Sequence, residues 1–217
     1  MKTEFPFLPA VLQKFSNTDR ASRFLVGIVG APASGKSYLS EVLPPIVNAH
    51  FGQEIATSMA MDGYHYYNEQ LREKGIFPHK GSHFTFDVQA FTEKLVELKE
   101  SRNPVSCPIY DRSIHDPTPD ANVILPSHRL VFVEGNYLLS RVFPWITLRF
   151  LLDVCIFVEV EAEVQFQRLL TRHMAGGQSE QEAAAKARRT DLPNTELVVQ
   201  DKHRADHVFF PVANRMI

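Results

Sequence analysis

The chain has 217 residues, 44% of them hydrophobic and 22% charged, with a formal net charge of −2. That length and composition predict one globular domain, residues 1–217, with a full core and room for a small lid. The charge balance offers no basic field, which argues against nucleic acid as the main partner. No apolar run approaches the roughly 20 residues of a membrane span, and Glu4 and Pro6 stand where a signal peptide would be apolar. The expectation is a soluble cytoplasmic protein without a membrane partner. Cys107 and Cys155 lie far apart; the spacing leaves a disulfide open, and a reducing cytosol favours two buried thiols.

In chain order, Phe7, Leu8, Val11, Leu12 and Phe15 form one apolar stripe and predict an amphipathic lead-in helix over 5–20. The apolar run at 24–29 predicts a strand. It enters Gly30-Ala31-Pro32-Ala33-Ser34-Gly35-Lys36-Ser37, which spells G-x-x-x-x-G-K-S, and a periodic segment starts at Tyr38. Strand, glycine-rich turn and helix start are the context of a Walker A loop. Its backbone N–H groups turn inward around phosphate oxygens, and the helix N-terminus adds partial positive charge. Residues 30–38 are therefore the expected nucleotide-binding segment. Lys36 would reach the β- and γ-phosphates of ATP, and the Ser37 hydroxyl would ligate Mg²⁺.

The helix after the loop should run to about residue 50, kinked or shortened by Pro44-Pro45. A less apolar strand over 54–60 ends at Met61-Asp62-Gly63-Tyr64-His65. Residues 64–83 look irregular with one short helix, and 77–81 form a loop. A clearer helix begins at Thr85-Phe86-Asp87 and continues through Phe91, Leu95 and Leu98. Residues 104–120, with four prolines, read as an extended segment and a loop. Apolar β-branched runs predict buried strands at 130–133 and 154–160. Polar helices follow at 161–174 and 179–190 around Gly176-Gly177, then a helix at 194–201 and a strand at 207–212. Alternating strands and helices predict a three-layer α/β/α sandwich with a mostly parallel sheet, the P-loop NTPase fold, and a small helical lid at about 165–192. Ligands in such sheets bind at the carboxyl ends of the strands.

Two carboxylates stand at those ends. Asp62 could accept the proton of a hydroxyl attacking the γ-phosphate, and Glu134, ahead of Gly135-Asn136-Tyr137, suits the Mg²⁺ side. Arg168 and Arg172, at i and i+4, suit a lid that closes on triphosphate and shields the transferring group. Arg188 and Arg189 follow the glycine pair without a comparable signal. A guanine-reading N-K-x-D is absent, since Lys202 follows an aspartate. A nucleotide hydrolase or a non-catalytic nucleotide binder is the competing class.

The phosphate loop, Met61-Asp62-Gly63-Tyr64-His65, Thr85-Phe86-Asp87, Tyr110-Asp111-Arg112 with His115, Val133-Glu134-Gly135-Asn136-Tyr137 and Arg189-Thr190-Asp191-Leu192-Pro193-Asn194 occur in that order. Together, over about residues 22–212, they resemble the P-loop kinases that include uridine kinase, pantothenate kinase and phosphoribulokinase. Within that group they are most similar to a bacterial branch labelled fructose transport system kinase or nucleoside/nucleotide kinase-like. The resemblance implies transfer of the ATP γ-phosphate to a hydroxyl of a small metabolite: a nucleoside, a sugar or a pantothenate-like compound. It makes Asp62 the base and sets Glu134 near the metal. Asp87, Tyr110 and His115 match positions that hold nucleosides in uridine kinases, and His65 joins Asp62 on the acceptor side. Arg168 and Arg172 match lid arginines. The segment between Asp62 and Asp87, including Phe77-Pro78-His79-Lys80-Gly81, departs from the uridine kinase pattern, as does the lid around Gly176-Gly177 and Ala183-Ala184-Ala185.

Overall fold

A computed structural model describes residues 4–19 and 22–211 of the chain. Five strands form one parallel sheet: β1 (Phe24–Gly30), β2 (Ala56–Ala60), β5 (Leu130–Gly135), β6 (Val154–Val158) and β7 (His207–Phe209), in the order β2-β5-β1-β6-β7. β1 lies at the centre, and every one of its seven residues is buried. A parallel strand covered on both faces needs an apolar run rather than alternation, which is what Phe24-Leu25-Val26-Gly27-Ile28-Val29 supplies.

Successive residues of these strands point to opposite faces and build two cores. On one face Phe24, Val26, Ile28, Phe132 and Ile156 pack against α1 (Leu8–Ser16) and α2 (Lys36–Phe51), with Leu12, Leu39, Leu43 and Val47 among the contacts. On the other, Leu25, Val29, Val131, Val133 and Phe157 meet α4 (Val88–Glu100), Trp145 and Leu148 of a 3₁₀ segment (Trp145–Leu151), and Val198 of α7 (Leu192–Gln200). These are the three layers. Both cysteines are buried and free, Cys107 and Cys155 alike.

α2 ends at Phe51, close to the expected end near residue 50, with Pro44-Pro45 inside it. Leu39 and Leu43 before the prolines and Val47 beyond them are all buried, so packing along both halves outweighs the two missing backbone donors. One local expectation changes: residues 104–120 are not an extended piece and a loop. They form most of an antiparallel hairpin, β3 (Val105–Asp111) with β4 (Asp116–Ile124), separate from the main sheet. Pro108, Pro117 and Pro119 fit because a two-stranded ribbon consists only of edges, where a missing N–H is tolerated. Irregular 64–83 contains α3 (Asn68–Glu73) and short 3₁₀ turns at Phe77–His79 and His83–Thr85. The lead-in helix is α1; residue 20, the last of its expected span, and residue 212, the last of the expected final strand, lie outside the described residues.

The hairpin's base is tied to the sheet by a buried cation. Arg23 donates to five carbonyls, those of Leu98, Ser101, Asn103, Leu125 and His128, at 2.7–3.3 Å. Two of these lie at the end of α4, where the helix dipole favours positive charge. Arg23→Met should therefore lower unfolding stability by about 2–4 kcal/mol, because one buried and four part-buried carbonyls lose a charged donor. Urea denaturation followed by circular dichroism checks it; a change below about 0.5 kcal/mol contradicts it.

Candidate active site

The loop after β1 turns into α2 through residues that depart from ordinary backbone geometry. Ala33 has φ of 61° and Gly35 of 99°, the left-handed region that glycine enters without steric cost. The first intrahelical bond of α2 runs from Leu39 N to the Gly35 carbonyl at 3.2 Å. The N–H groups just ahead of it, in residues 36–38, precede the hydrogen-bonding ladder, the position at which a helix N-terminus offers free donors to an anion.

Lys36 is buried, and its ammonium sits 3.3 Å from Glu134 Oε1. Burial pushes the Glu134 carboxyl above the usual carboxylate range, Lys36 opposes that shift, and Asp62 adds to it. The register explains the meeting. Ala60 at the end of β2 pairs with Glu134 on β5, and Ile28 of β1 pairs with the same residue from the other side. Asp62 follows Ala60 by two residues in a 3₁₀ turn (Met61–Tyr64). Carboxyl ends of β1, β2 and β5 thus converge.

An open cleft of about 260 Å³ lies there, lined by Ser37, Asp62, Tyr110, Arg112, Asn122 and Glu134 among others. The hairpin forms one wall because Gly63 lets it approach: a Cβ on Gly63 would lie 2.4 Å from the Pro108 carbonyl oxygen. Asn122 Nδ2 donates to the Ser58 carbonyl and fastens β4 to β2. The hairpin tip is fastened by Lys80, whose ammonium donates to Asn68 Oδ1 and the His115 carbonyl, both at 2.6 Å, with Asp116 Oδ1 at 3.5 Å. Lys80 also lies 5.0 Å from the centre of the Tyr110 ring.

The expected acceptor residues separate into two groups. Asp62 and Tyr110 line the cleft. His65 supports them from behind: its Nδ1–H donates to the Asp62 carbonyl at 2.8 Å, and its ring packs on Phe86 and Tyr110. Asp87 caps α4, its carboxylate accepting from Ala90 N at 2.9 Å. The His115 side chain is exposed at the hairpin tip, where the backbone has φ of 53°.

The arginines at i and i+4 share α5 (Ala162–Ala175). Arg168 Nη1 lies 3.4 Å from the Ala33 carbonyl of the phosphate loop, and Arg172 is exposed within electrostatic reach of Tyr110. Arg188 stacks on Phe166 at 5.5 Å. After Gly177, α6 (Glu180–Lys186) runs through a π-helical turn (Ala187–Asp191) directly into α7. His173 Nε2, 2.8 Å from Asp191 Oδ2, clasps the two arms.

Four contributors are given no such role by the sequence. Besides Lys80, Gln165 donates to the Pro32 carbonyl at 2.8 Å and to Thr195 Oγ1 at 2.7 Å, joining loop, α5 and α7. Asn194 Nδ2 and Tyr137 Oη both donate to the Gly81 carbonyl. Lys80, Tyr137 and Asn194 stand in stretches singled out in the sequence, without these roles; Gln165 occupies the buried stripe of α5 with Leu169, where a buried amide demands partners.

A protein-family model described as the phosphoribulokinase / uridine kinase family matches residues 25–216. The chain belongs to this family. It is 36% identical over 185 residues to the Escherichia coli (strain K12) protein YggC, covering 85% of this chain and 76% of that one. It is 34% identical over 194 residues to "Putative uridine kinase C227.14" of Schizosaccharomyces pombe, covering 86% and 82%. Among solved structures, a "putative fructose transport system kinase" from Silicibacter sp. TM1040 superposes with a TM-score of 0.88 at 32% identity, over 95% of this chain and 98% of that one. The chain is thus a small-molecule kinase that uses ATP to phosphorylate a small metabolite. Among the described residues, no helix is long and apolar enough to cross a membrane.

The packing of His65 gives this kinase a pH signature. Burial pushes its imidazole below the ordinary value of 6.5, with Asp62 pulling partly back. The folded state therefore binds that proton less readily than the unfolded state does. Stability from this residue is complete above about pH 6.5 and falls as pH drops below it. His65→Gln should flatten the fall in urea-unfolding free energy between pH 7 and 5; an unchanged slope contradicts the assignment.

Proposed function

We propose that the cleft at the ends of β2 and β5 is where the acceptor hydroxyl meets the γ-phosphate, with Asp62 as the general base. The observation that carries this reading is the convergence of Ser37, Asp62 and Glu134 on one cleft, beside a phosphate loop whose lysine is held by Glu134. Asp62 takes the hydroxyl proton, the hydroxyl oxygen forms its bond to the γ-phosphorus, and the bond from that phosphorus to the β,γ-bridging oxygen breaks to leave ADP. Lys36 and the amides of residues 36–38 hold phosphate oxygens as negative charge shifts toward the leaving group. Arg168 touches the loop already and, with Arg172, closes over the transferring group and excludes water.

The donors also fit Mg²⁺. Ser37, Asp62 and Glu134 offer only hard oxygens, and no cluster of three or more His, Cys, Asp or Glu side chains suited to a metal occurs among the described residues. A metal held by few protein ligands plus phosphates and water is the usual habit of this ion. Ser37 and Glu134 would hold it; when bound, it screens the charge of the triphosphate. Such ATP-dependent chemistry suits the cytoplasm, and the acceptor is a small hydroxyl compound of the nucleoside, sugar or pantothenate-like kind.

Asp62→Asn keeps the shape and loses the proton acceptor, so kcat should fall by roughly 10²–10⁴-fold while ATP affinity stays nearly constant. Acceptor turnover and ATP titration at several Mg²⁺ concentrations decide the role. Recovery of the rate at high Mg²⁺ would make Asp62 a metal-side residue instead.

A further inference from the structure

Both lysines beside the cleft are held, and the Asp62 carboxylate is without a hydrogen bond or ion pair among the described residues. Lys36 is held by Glu134, and Lys80 by Asn68, the His115 carbonyl and Asp116. The neighbouring Asp111 carboxylate accepts from Ser113 N and Ser113 Oγ, at 2.8 and 2.6 Å. Arg112, which lines the cleft with Asp62 and Tyr110, makes no hydrogen bond or ion pair among the described residues. It nevertheless lies within electrostatic reach of both Glu134 and Tyr110.

An exposed arginine is unremarkable on a mobile loop, but this one is mounted on a fixed wall. Pro108 rests on Gly63, Asn122 is tied to β2, and Lys80 holds the tip. These contacts fix the backbone that carries Arg112, so the guanidinium stays within reach of the cleft it lines. The alternative, recognition of a nucleobase by stacking, lacks a platform. Tyr110 is the one aromatic residue lining the cleft, and its ring is already engaged by His65 and by the Lys80 ammonium, each 5.0 Å away.

We propose that Arg112 makes this kinase selective for a small hydroxyl compound that also carries an anionic group, a carboxylate or a phosphate ester, which the guanidinium binds while Asp62 faces the hydroxyl. A carboxylate or phosphate presents two oxygens that match the guanidinium fork, and the positive field also speeds encounter. The inference rests on the cleft being the acceptor site.

The test is an ADP-release assay with phosphorylated product identified by mass spectrometry. Neutral acceptors (uridine, ribose, glycerol) run beside carboxylates (glycerate, pantothenate) and a phosphate ester (ribose 5-phosphate). The best anionic acceptor is also supplied uncharged, a carboxylate as its amide or methyl ester and the phosphate ester as the parent sugar without phosphate. The expected result is turnover of an anionic acceptor, the carboxylate and phosphate arms reporting which group is recognised. Arg112→Gln should lower its kcat/KM by roughly 10–100-fold, mainly through the acceptor KM. KM for ATP should change less than twofold, Arg112→Lys should recover part of the loss, and the uncharged analogue should be insensitive to either substitution. A neutral acceptor turned over best, or an equal loss for charged and uncharged acceptors in Arg112→Gln, overturns the inference and leaves the kinase site intact. ATP hydrolysis without any phosphorylated product would instead reject the acceptor site itself.

Discussion

The buried contact between Lys36 and Glu134 is the constraint on which the site depends. Each charge alone would be costly in a largely desolvated position; together they offset that cost and set the distance between two elements. One end belongs to the first turn of α2, the other to the carboxyl end of β5, so the pair locks the phosphate loop to the sheet edge. Asp62 adds a second negative charge nearby and helps push the Glu134 carboxyl upward. An incoming triphosphate competes with Glu134 for the lysine and meets two carboxylates. In the proposed reading, a divalent cation would relieve that electrostatic conflict.

Around this fixed point, loosely packed parts are held by single polar side chains. Gln165 couples α5 and α7 to the Pro32 carbonyl, and Arg168 reaches the neighbouring Ala33 carbonyl. Anything that shifts the phosphate loop is therefore felt in the lid. The hairpin packs Val105, Cys107 and Ile124, all fully buried, into the core shared with α4, and its tip is held by Lys80. Arg172 of α5 and Arg112 of the hairpin carry positive charge on either side of the cleft, while the carboxyl ends of the strands carry the carboxylates Asp62 and Glu134.

What was legible in the sequence is what local chemistry dictates. Glycines, lysine and serine at fixed spacing after an apolar run specify the loop, and unbroken runs such as Leu130-Val131-Phe132-Val133 specify buried parallel strands. The prolines misled at the hairpin, whereas α2 runs through its two to Phe51; tertiary packing and edge position decide whether a missing N–H matters. Asp87 illustrates a different limit: the sequence offers a carboxylate before a helix, and its hydrogen bond to Ala90 N serves the helix end. Lys80 and Asn194 were illegible for a topological reason. Their partners lie 35 and 113 residues away, and no periodicity encodes such meetings.

The fate of the γ-phosphate tests the account most directly. ATP labelled with ¹⁸O in the γ-phosphoryl group, incubated with the kinase, Mg²⁺ and an acceptor that stimulates ADP release, should deliver its label to the acceptor. ADP and phosphorylated acceptor should appear one for one, and Lys36→Ala should abolish both while leaving the circular dichroism spectrum unchanged. Label recovered as free inorganic phosphate, or wild-type transfer by folded Lys36→Ala, would contradict it.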